Sequence, residues 1–228
     1  LRKWIQESRS MVFFGGAGVS TESGIPDFRS VDGLYHQHYS HPPETILSHD
    51  FFKRHPEEFF VFYREKMLLP IVGTHAAQPN PAHVTLANWE REGRLQAVAT
   101  QNIDGLHQMA GSRTVYELHG SVHRNHCLSC GQFFGPEKIL QSKGVPLCTC
   151  GGIIKPDVVL YGESLNQETL ERSITAIEKA DLLLVGGTSL SVYPAAGLIR
   201  YYQGNRLVLI NRSATDYDNW ANLRIEGN

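Results

Sequence analysis

Cys127-x-x-Cys130 and Cys148-x-Cys150, with 17 residues between the pairs, gather four thiols into two tight clusters. Thiol pairs separated by a loop of that size suit a tetrahedral zinc ion, each pair supplying one edge of the tetrahedron. Four thiolates leave no open position for water, so the predicted metal is structural, and His123 and His126 are read as spares. A second stretch, Gly16-Ala17-Gly18 with Ser20, follows the apolar run Met11 to Phe14. A glycine-rich turn between a strand and a helix start lets a pyrophosphate meet free backbone N–H groups at the positive helix end. Thr21 stands where the third glycine of the dinucleotide fingerprint belongs, so a turn that only joins two packed elements is the alternative. Ile25-Pro26-Asp27-Phe28-Arg29 follows at once, a mixture that a connecting turn does not call for. His119 is a candidate general base, because imidazole titrates at ~6.5; a strand-end histidine bonded to backbone is the alternative. Asn102 and Asp104 could shape a carboxamide pocket or cap the next helix, and the two uses can coexist.

Short apolar runs at Met11 to Phe14, Leu95 to Ala99, Val115 to Leu118, Val158 to Tyr161, Leu182 to Val185 and Leu207 to Ile210 read as strands. Helices are predicted over 1–10 and 82–92, at starts near Asp50 and Pro56, and along the Leu170, Ile174, Ile177 face. Such alternation argues an α/β fold, a parallel sheet with helices on both faces. Four strands run into polar or glycine-rich sequence at Gly15, Gln101, Gly187 and Asn211. Ligands of these sheets bind outside the carboxyl ends of the strands, so the sheet reads as built for a dinucleotide. Residues 30–78 are rich in aromatics and histidines, a helical excursion whose His36, His38 and His41 are read as polar loop rather than a metal site.

With 228 residues, 41% of them hydrophobic, the chain has room for a large and a small domain. A net charge of −2 gives no broad basic field for nucleic acid or an anionic membrane. No apolar run reaches the ~20 residues needed to span a bilayer, and the N-terminal segment lacks a secretory core. Paired cysteines fit a reducing compartment, so a cytoplasmic protein is expected.

The GAG turn running through DFR, the QNID segment, the His-Gly pair and the inserted four-cysteine ribbon occur in an order that resembles the sirtuins. Those are NAD-dependent protein-lysine deacylases, and the resemblance covers about Val12 to about Ala221. It implies a Rossmann-like NAD-binding large domain (1–29, 76–122 and 155–228). The small domain would hold a helical module (30–75) and the zinc ribbon (123–154). Carried onto this chain, Gly16, Ala17, Gly18 and Ser20 would form the diphosphate turn, and Ile25, Pro26, Asp27, Phe28 and Arg29 the cofactor loop. Gln101, Asn102, Ile103 and Asp104 would shape the nicotinamide and ribose pocket. Gly187, Thr188 and Ser189 would form a second phosphate turn, and Asn211, Arg212 and Ser213 the adenosine end. Val158, Val159, Tyr161, Gly162 and Val192 would receive the acyl-lysine peptide, with His119 as base and Asn102 and Asp104 as its catalytic companions. The family's final helix is expected to be missing, since the chain stops at Asn228 soon after the last sheet element, leaving the adenine pocket incomplete.

The implied reaction has acetyl-lysine attack the nicotinamide ribose of NAD, giving nicotinamide, deacetylated lysine and O-acetyl-ADP-ribose. Expected partners are acetylated-lysine proteins or peptides, with no nucleic acid, no membrane and a monomeric chain. Desuccinylases of the family carry a tyrosine and, three residues on, an arginine in the helical module. Phe60 and Tyr63 fall at those positions here, and Arg64 is one residue off, ~100° round a helix. A buried acyl carboxylate would lack its partner, so a neutral acyl group is predicted; a one-residue shift in register would reverse this. The other readings are a protein mono-ADP-ribosyltransferase using the same cleft and a non-catalytic NAD-sensing or zinc-ribbon module. A hydride-transfer dehydrogenase fits worse, for want of the acidic residue ~20 positions after the glycine turn.

Overall fold

The computed structural model describes residues 1–28, 33 and 39–227. A short helix α1 (Arg2–Glu7) leads into β1 (Met11–Gly15), whose five residues are all buried. The helical module follows with α2 (Pro43–Ile46), α3 (His49–Arg54), α4 (Pro56–Phe62) and α5 (Leu69–Val72). Between α4 and α5 the helix widens to a π turn over Tyr63–Leu68. Pro70 has no N–H to return to the carbonyl one turn back, and the slip to a wider turn relieves that loss. Then come α6 (Pro81–Arg91), β2 (Leu95–Thr100), α7 (Leu106–Met109) and β3 (Val115–Glu117). The ribbon consists of β4 (Gly120–Cys127), β5 (Phe133–Phe134), α8 (Pro136–Gln141) and β6 (Ile154–Val158). The chain returns through α9 (Gln167–Lys179) to β7 (Leu182–Gly186), β8 (Leu207–Asn211) and β9 (Leu223–Glu226).

The large sheet is six-stranded and parallel, in the order β3-β2-β1-β7-β8-β9. Alternate residues of β1 serve its two faces. Met11 and Phe13 pack with Leu86 of α6 and with Trp4 and Ile5 of α1, whereas Val12 and Phe14 pack with Ile177 of α9 and with Leu198 and Ile199. Winding therefore reverses between β1 and β7, the switch point at which such sheets bind ligands. The sheet with helices on both faces is the predicted one.

A third core joins the helical module to the ribbon: Phe52, Phe59, Phe60 and Tyr63 pack with Val122, Ile139, Ile154, Val158 and Leu160. Ile25, Phe28 and Ile103 pack onto its edge, so this core reaches the segments predicted to line the cofactor cleft.

Three sequence expectations are corrected. The glycine turn enters a 3₁₀ stretch, Ala17–Ser23, in place of an α-helix; Ser20, Thr21 and Ser23 are poor helix formers that compete for backbone groups. Val158 to Tyr161 is not a strand of the parallel sheet. Its first residue ends β6, which pairs antiparallel with β4 at the edge of the three-stranded ribbon sheet. An edge position is where Pro156, lacking an N–H, can sit in a strand. Finally, β9 extends the sheet by a strand that the apolar runs did not reveal.

Candidate active site

The two phosphate-type turns interlock at the switch point. Gly18 N–H donates to the Gly187 carbonyl at 2.8 Å, and Gly16 N–H to the Gly186 carbonyl at 3.2 Å. A Cβ on Gly16 would stand 2.7 Å from Thr188 Cβ, and one on Gly18 would stand 2.8 Å from Gly187 Cα. Gly187 itself has φ +59°. Side chains at these positions would push the turns apart, so the glycines make a cradle where backbone can face a diphosphate.

The neighbouring strand ends hold this cradle. Gln101 Nε2 donates to Thr188 Oγ1 at 2.9 Å. Asn211 brackets the second turn: its Oδ1 accepts Thr188 N–H at 3.0 Å, and its Nδ2 donates to the Thr188 carbonyl at 2.8 Å. Asn211, Arg212 and Ser213 line a cavity of about 120 Å³ with Arg224 and Glu226 of β9. The last two residues escaped the sequence reading because their strand did. Ala17 opens the 3₁₀ stretch, and Ser189 is exposed, its hydroxyl 2.8 Å from that of Ser191.

A polar knot lies deeper. Asp104, 4% exposed, accepts the Ser20 hydroxyl at 2.6 Å and Leu106 N–H at 2.9 Å. Asn102 Nδ2 donates to Ser20 Oγ at 3.1 Å, and its own N–H donates to Thr100 Oγ1 at 3.0 Å. Asp104 thus ties the first N–H of α7 to the hydroxyl of Ser20 below the glycine turn. Of the cofactor loop, Ile25 N–H donates to the Ser20 carbonyl at 3.2 Å, and Pro26, Asp27 and Phe28 are half-buried. Arg29 lies outside the described residues.

His119 follows β3, and its Nδ1 donates to the Gln101 carbonyl at 3.0 Å. A carbonyl can only accept, so the proton resides on Nδ1 and Nε2 keeps the free lone pair. Burial pushes this imidazole below its ordinary pKa, against the upward pull of the Gln101 carbonyl. The ring is therefore neutral, and able to take a proton, throughout the neutral range.

Among the residues expected to receive the peptide, Val159 N–H donates to the His119 carbonyl at 3.0 Å. Tyr161 and His49 exchange backbone contacts with the helical module, Tyr161 N–H to the Leu47 carbonyl and His49 N–H to the Tyr161 carbonyl, each 2.9 Å. Glu163 braces this turn, accepting Leu160 N–H at 2.9 Å, His49 Nδ1 at 2.9 Å and Lys155 Nζ at 3.1 Å. Val158 is buried, Gly162 exposed, and Val192 accepts Ala196 N–H on the loop after β7. Arg64 turns elsewhere: its guanidinium donates to the Ile139, Phe60 and Gly144 carbonyls.

Behind Asp104 sit two buried histidines, His83 and His107, with ring centroids 4.7 Å apart. His83 Nδ1 accepts Asn80 N–H, but His83 Nε2 and both nitrogens of His107 have no hydrogen-bond partner among the described residues. Burial, with His83 alongside, lowers the His107 pKa to about 3. A histidine depressed in the folded state and ordinary (~6.5) in the unfolded one withdraws stability as pH falls. Stability is expected to be full above pH ~6.5 and to decline toward pH ~3. Thermal melts of native and His107→Leu protein across that window check this, the variant showing the shallower decline.

The four cysteine Sγ atoms all lie within 4.8 Å of one another and none is disulfide-bonded. Cys127 and Cys150 sulfurs are 3.4 Å apart, and those of Cys130 and Cys148 are 3.7 Å apart. A tetrahedron with Zn–S bonds of ~2.3 Å has edges of ~3.8 Å, so the donor set fits zinc. His126 is committed to Asp157 at 2.7 Å and His123 to the Asp104 carbonyl at 2.9 Å, neither joining the thiol group. His41 instead pairs with Glu58 at 3.2 Å, while His36 and His38 lie outside the described residues.

Comparison with known proteins follows the same line. A model of the Sir2 family matches residues 16–194. The NAD-dependent protein deacetylase of Clostridium acetobutylicum is 60% identical over 99% of this chain and 91% of its own length. A solved Sir2–p53 peptide–NAD+ complex superposes with a TM-score of 0.86 at 42% identity, over 99% of this chain and 91% of that one. Sir2 with the inhibitor EX-527, 2'-O-acetyl-ADP-ribose and deacetylated p53 peptide gives 0.85 at 40% identity over the same shares. By the family match, by identity over nearly its full length and by the shape of both sheets, this chain belongs to the Sir2 family.

Proposed function

We propose that this chain is an NAD-dependent protein-lysine deacetylase. The observation that carries the reading is His119, a neutral imidazole with a free Nε2 held at the mouth of a dinucleotide cradle. Simple binding needs no such base. When bound, NAD+ supplies an electrophilic ribose carbon with nicotinamide as its leaving group. The protein's part is to fix the partners and move one proton, which converts an encounter into an oriented reaction. Gly16, Ala17, Gly18, Ser20, Gly187, Thr188 and Ser189 hold the diphosphate, and Asn211, Arg212 and Ser213 the adenosine. Ile25, Pro26, Asp27 and Phe28 belong to the cofactor loop, with Phe28 shielding the ribose and Arg29 assigned to the phosphate side, and Gln101, Asn102, Ile103 and Asp104 serve the nicotinamide and ribose pocket. Asn102 and Asp104 exclude water from the place nicotinamide leaves, and His119 Nε2 takes the ribose hydroxyl proton. Val158, Val159, Tyr161, Gly162 and Val192 seat the acyl-lysine peptide. The products are nicotinamide, deacetylated lysine and O-acetyl-ADP-ribose.

The same reading takes 1–29, 76–122 and 155–228 as the NAD-binding domain, and 30–75 and 123–154 as the small domain. The shared core of helical module and ribbon supports that division. Zinc on Cys127, Cys130, Cys148 and Cys150 is structural, and paired thiols held for a metal fit a reducing compartment such as the cytoplasm; the same reading takes the enzyme as a monomer acting on acetylated proteins without nucleic acid.

Nicotinamide release from NAD+ with acetylated, succinylated and unmodified lysine peptides tests the reading. Release should require acetylation. Succinyl-lysine should react more than a hundredfold more slowly, because the Arg64 guanidinium is engaged by Ile139 and Gly144 and an uncompensated buried charge costs ~3–5 kcal/mol. A succinyl preference would overturn the acyl assignment. Release indifferent to acylation would replace the deacetylase by an ADP-ribosyltransferase.

A further inference from the structure

We propose that His123 is a positioning residue for the nicotinamide end of the cleft, its ring holding the Asn102–Asp104 loop from the ribbon side. The proposal rests on the deacetylase reading for its kinetic meaning, and on the geometry below for its physical content.

Strand β4 starts beside His119 and ends at Cys127. Along the way it meets the loop twice in succession. Val122 N–H donates to the Ile103 carbonyl at 3.1 Å, and His123 Nε2 lies 2.9 Å from the Asp104 carbonyl. The carbonyl accepts, so Nε2 carries the proton. Both the neutral Nε2–H tautomer and the imidazolium offer that donor, and the bond needs no particular protonation state.

The ring reaches the loop because Gly105 leaves room. A Cβ there would stand 2.8 Å from His123 Nε2 and 2.9 Å from its Cδ2. Gly105 also has φ +74°, which turns the chain sharply after Asp104. The carboxylate of Asp104 is held by the Ser20 hydroxyl and by Leu106 N–H, and its carbonyl by His123. The first two partners belong to the sheet side and the third to the ribbon sheet, so Asp104 is clamped between the two sheets. Losing the imidazole removes one of those three restraints and leaves the Val122–Ile103 bond as the remaining hydrogen bond from β4 to this loop among the described residues.

Four proteins decide it: native, His123→Ala, His123→Leu and His123→Gln. Each is measured for NAD+ Kd by calorimetry, KM for NAD+, inhibition by nicotinamide, acetyl-peptide Kd and melting temperature. Alanine and leucine variants should show a five- to tenfold rise in KM for NAD+ and in the nicotinamide concentration for half-inhibition, the scale of one net hydrogen bond. Acetyl-peptide Kd should stay within twofold and the melt nearly unmoved. Glutamine, whose Nε2 amide can donate at similar reach, should recover most of the loss. Leucine behaving like native protein would overturn the hydrogen bond in favour of packing against Gly105. A parallel loss of peptide affinity and melting temperature, or no change in any variant, would overturn the positioning role. If native protein releases no nicotinamide with acetyl-peptide, the deacetylase reading has failed, and the NAD+ Kd series still decides the clamp.

Discussion

Replacement of His119 by alanine should slow acetyl-lysine turnover by ~10²–10⁴-fold, the range that a positioned general base supplies. Melting temperature should hardly change, because the ring sits at a strand end, half-buried, with a single hydrogen bond to the Gln101 carbonyl. His119→Asn separates base from tether. Its Nδ2 amide can keep the donor that Nδ1 offers to Gln101, but it has no basic nitrogen to stand for Nε2. Asparagine as slow as alanine assigns the loss to proton transfer. Asparagine restoring the native rate would make His119 a tether and sink the base assignment. The native pH–rate profile provides a second check. Because burial holds the His119 pKa below its ordinary value, the acid limb should fall below pH ~6.5, and rate should persist into mildly acid solution.

Removal of the metal should cost more than any single side chain in the cleft. The ribbon sheet has only three strands, one of them two residues long; Cys127 and Cys148 are buried at the core shared with the helical module, while Cys130 and Cys150 are exposed. A sheet of that size depends on an apolar face or a packed helix for its stability. Structural zinc contributes ~10–16 kcal/mol in comparably small domains. Chelation, or Cys130→Ser, is expected to melt residues 120–158 while the parallel sheet persists. Hydrogen exchange would report this as lost protection in β4 and β6 against retained protection in β1 and β7, and activity should vanish with the first group. The loss is mechanical: β4 departs from His119 and β6 runs into Val158 and Val159, so a molten ribbon frees His119, the proposed base, and the proposed peptide-binding residues together. Full activity and unchanged protection in a preparation shown to hold no zinc would refute it.

Some of this site could be read directly from residues. The cysteine spacing and the glycine turns are local signatures, because metal geometry and backbone approach constrain residue type at fixed offsets. The strand ends at Gln101 and Asn211 were visible for a related reason: polar residues closing a buried apolar run need a purpose. Strand β9 was missed because Leu223-Arg224-Ile225-Glu226 alternates in burial, as a sheet edge does, whereas interior parallel strands read as unbroken apolar runs. Val158 to Tyr161 misled for the converse reason, an apolar run whose Val158 and Leu160 pack into the core of helical module and ribbon instead of entering the large sheet. His123 reads in the sequence only as a spare beside the cysteines, with nothing to point to the loop it bonds. Its partner is a backbone carbonyl, which any residue carries, and only the fold brings the two together.

The interlocked turns also bear on the life of the chain before it is whole. Gly18 is synthesised well before its partner Gly187, which closes the cradle from the end of β7. A nascent chain carries the glycine fingerprint without any capacity to use it, since β1 must wait for β7 as its neighbour. Pairings between such distant segments are slow to form and leave edges exposed meanwhile. Dinucleotide in the surrounding medium rewards only molecules that have completed this pairing, adding stability by mass action to folded chains and none to unfinished ones. Cofactor binding thereby adds stability only to chains in which β1 and β7 have already paired.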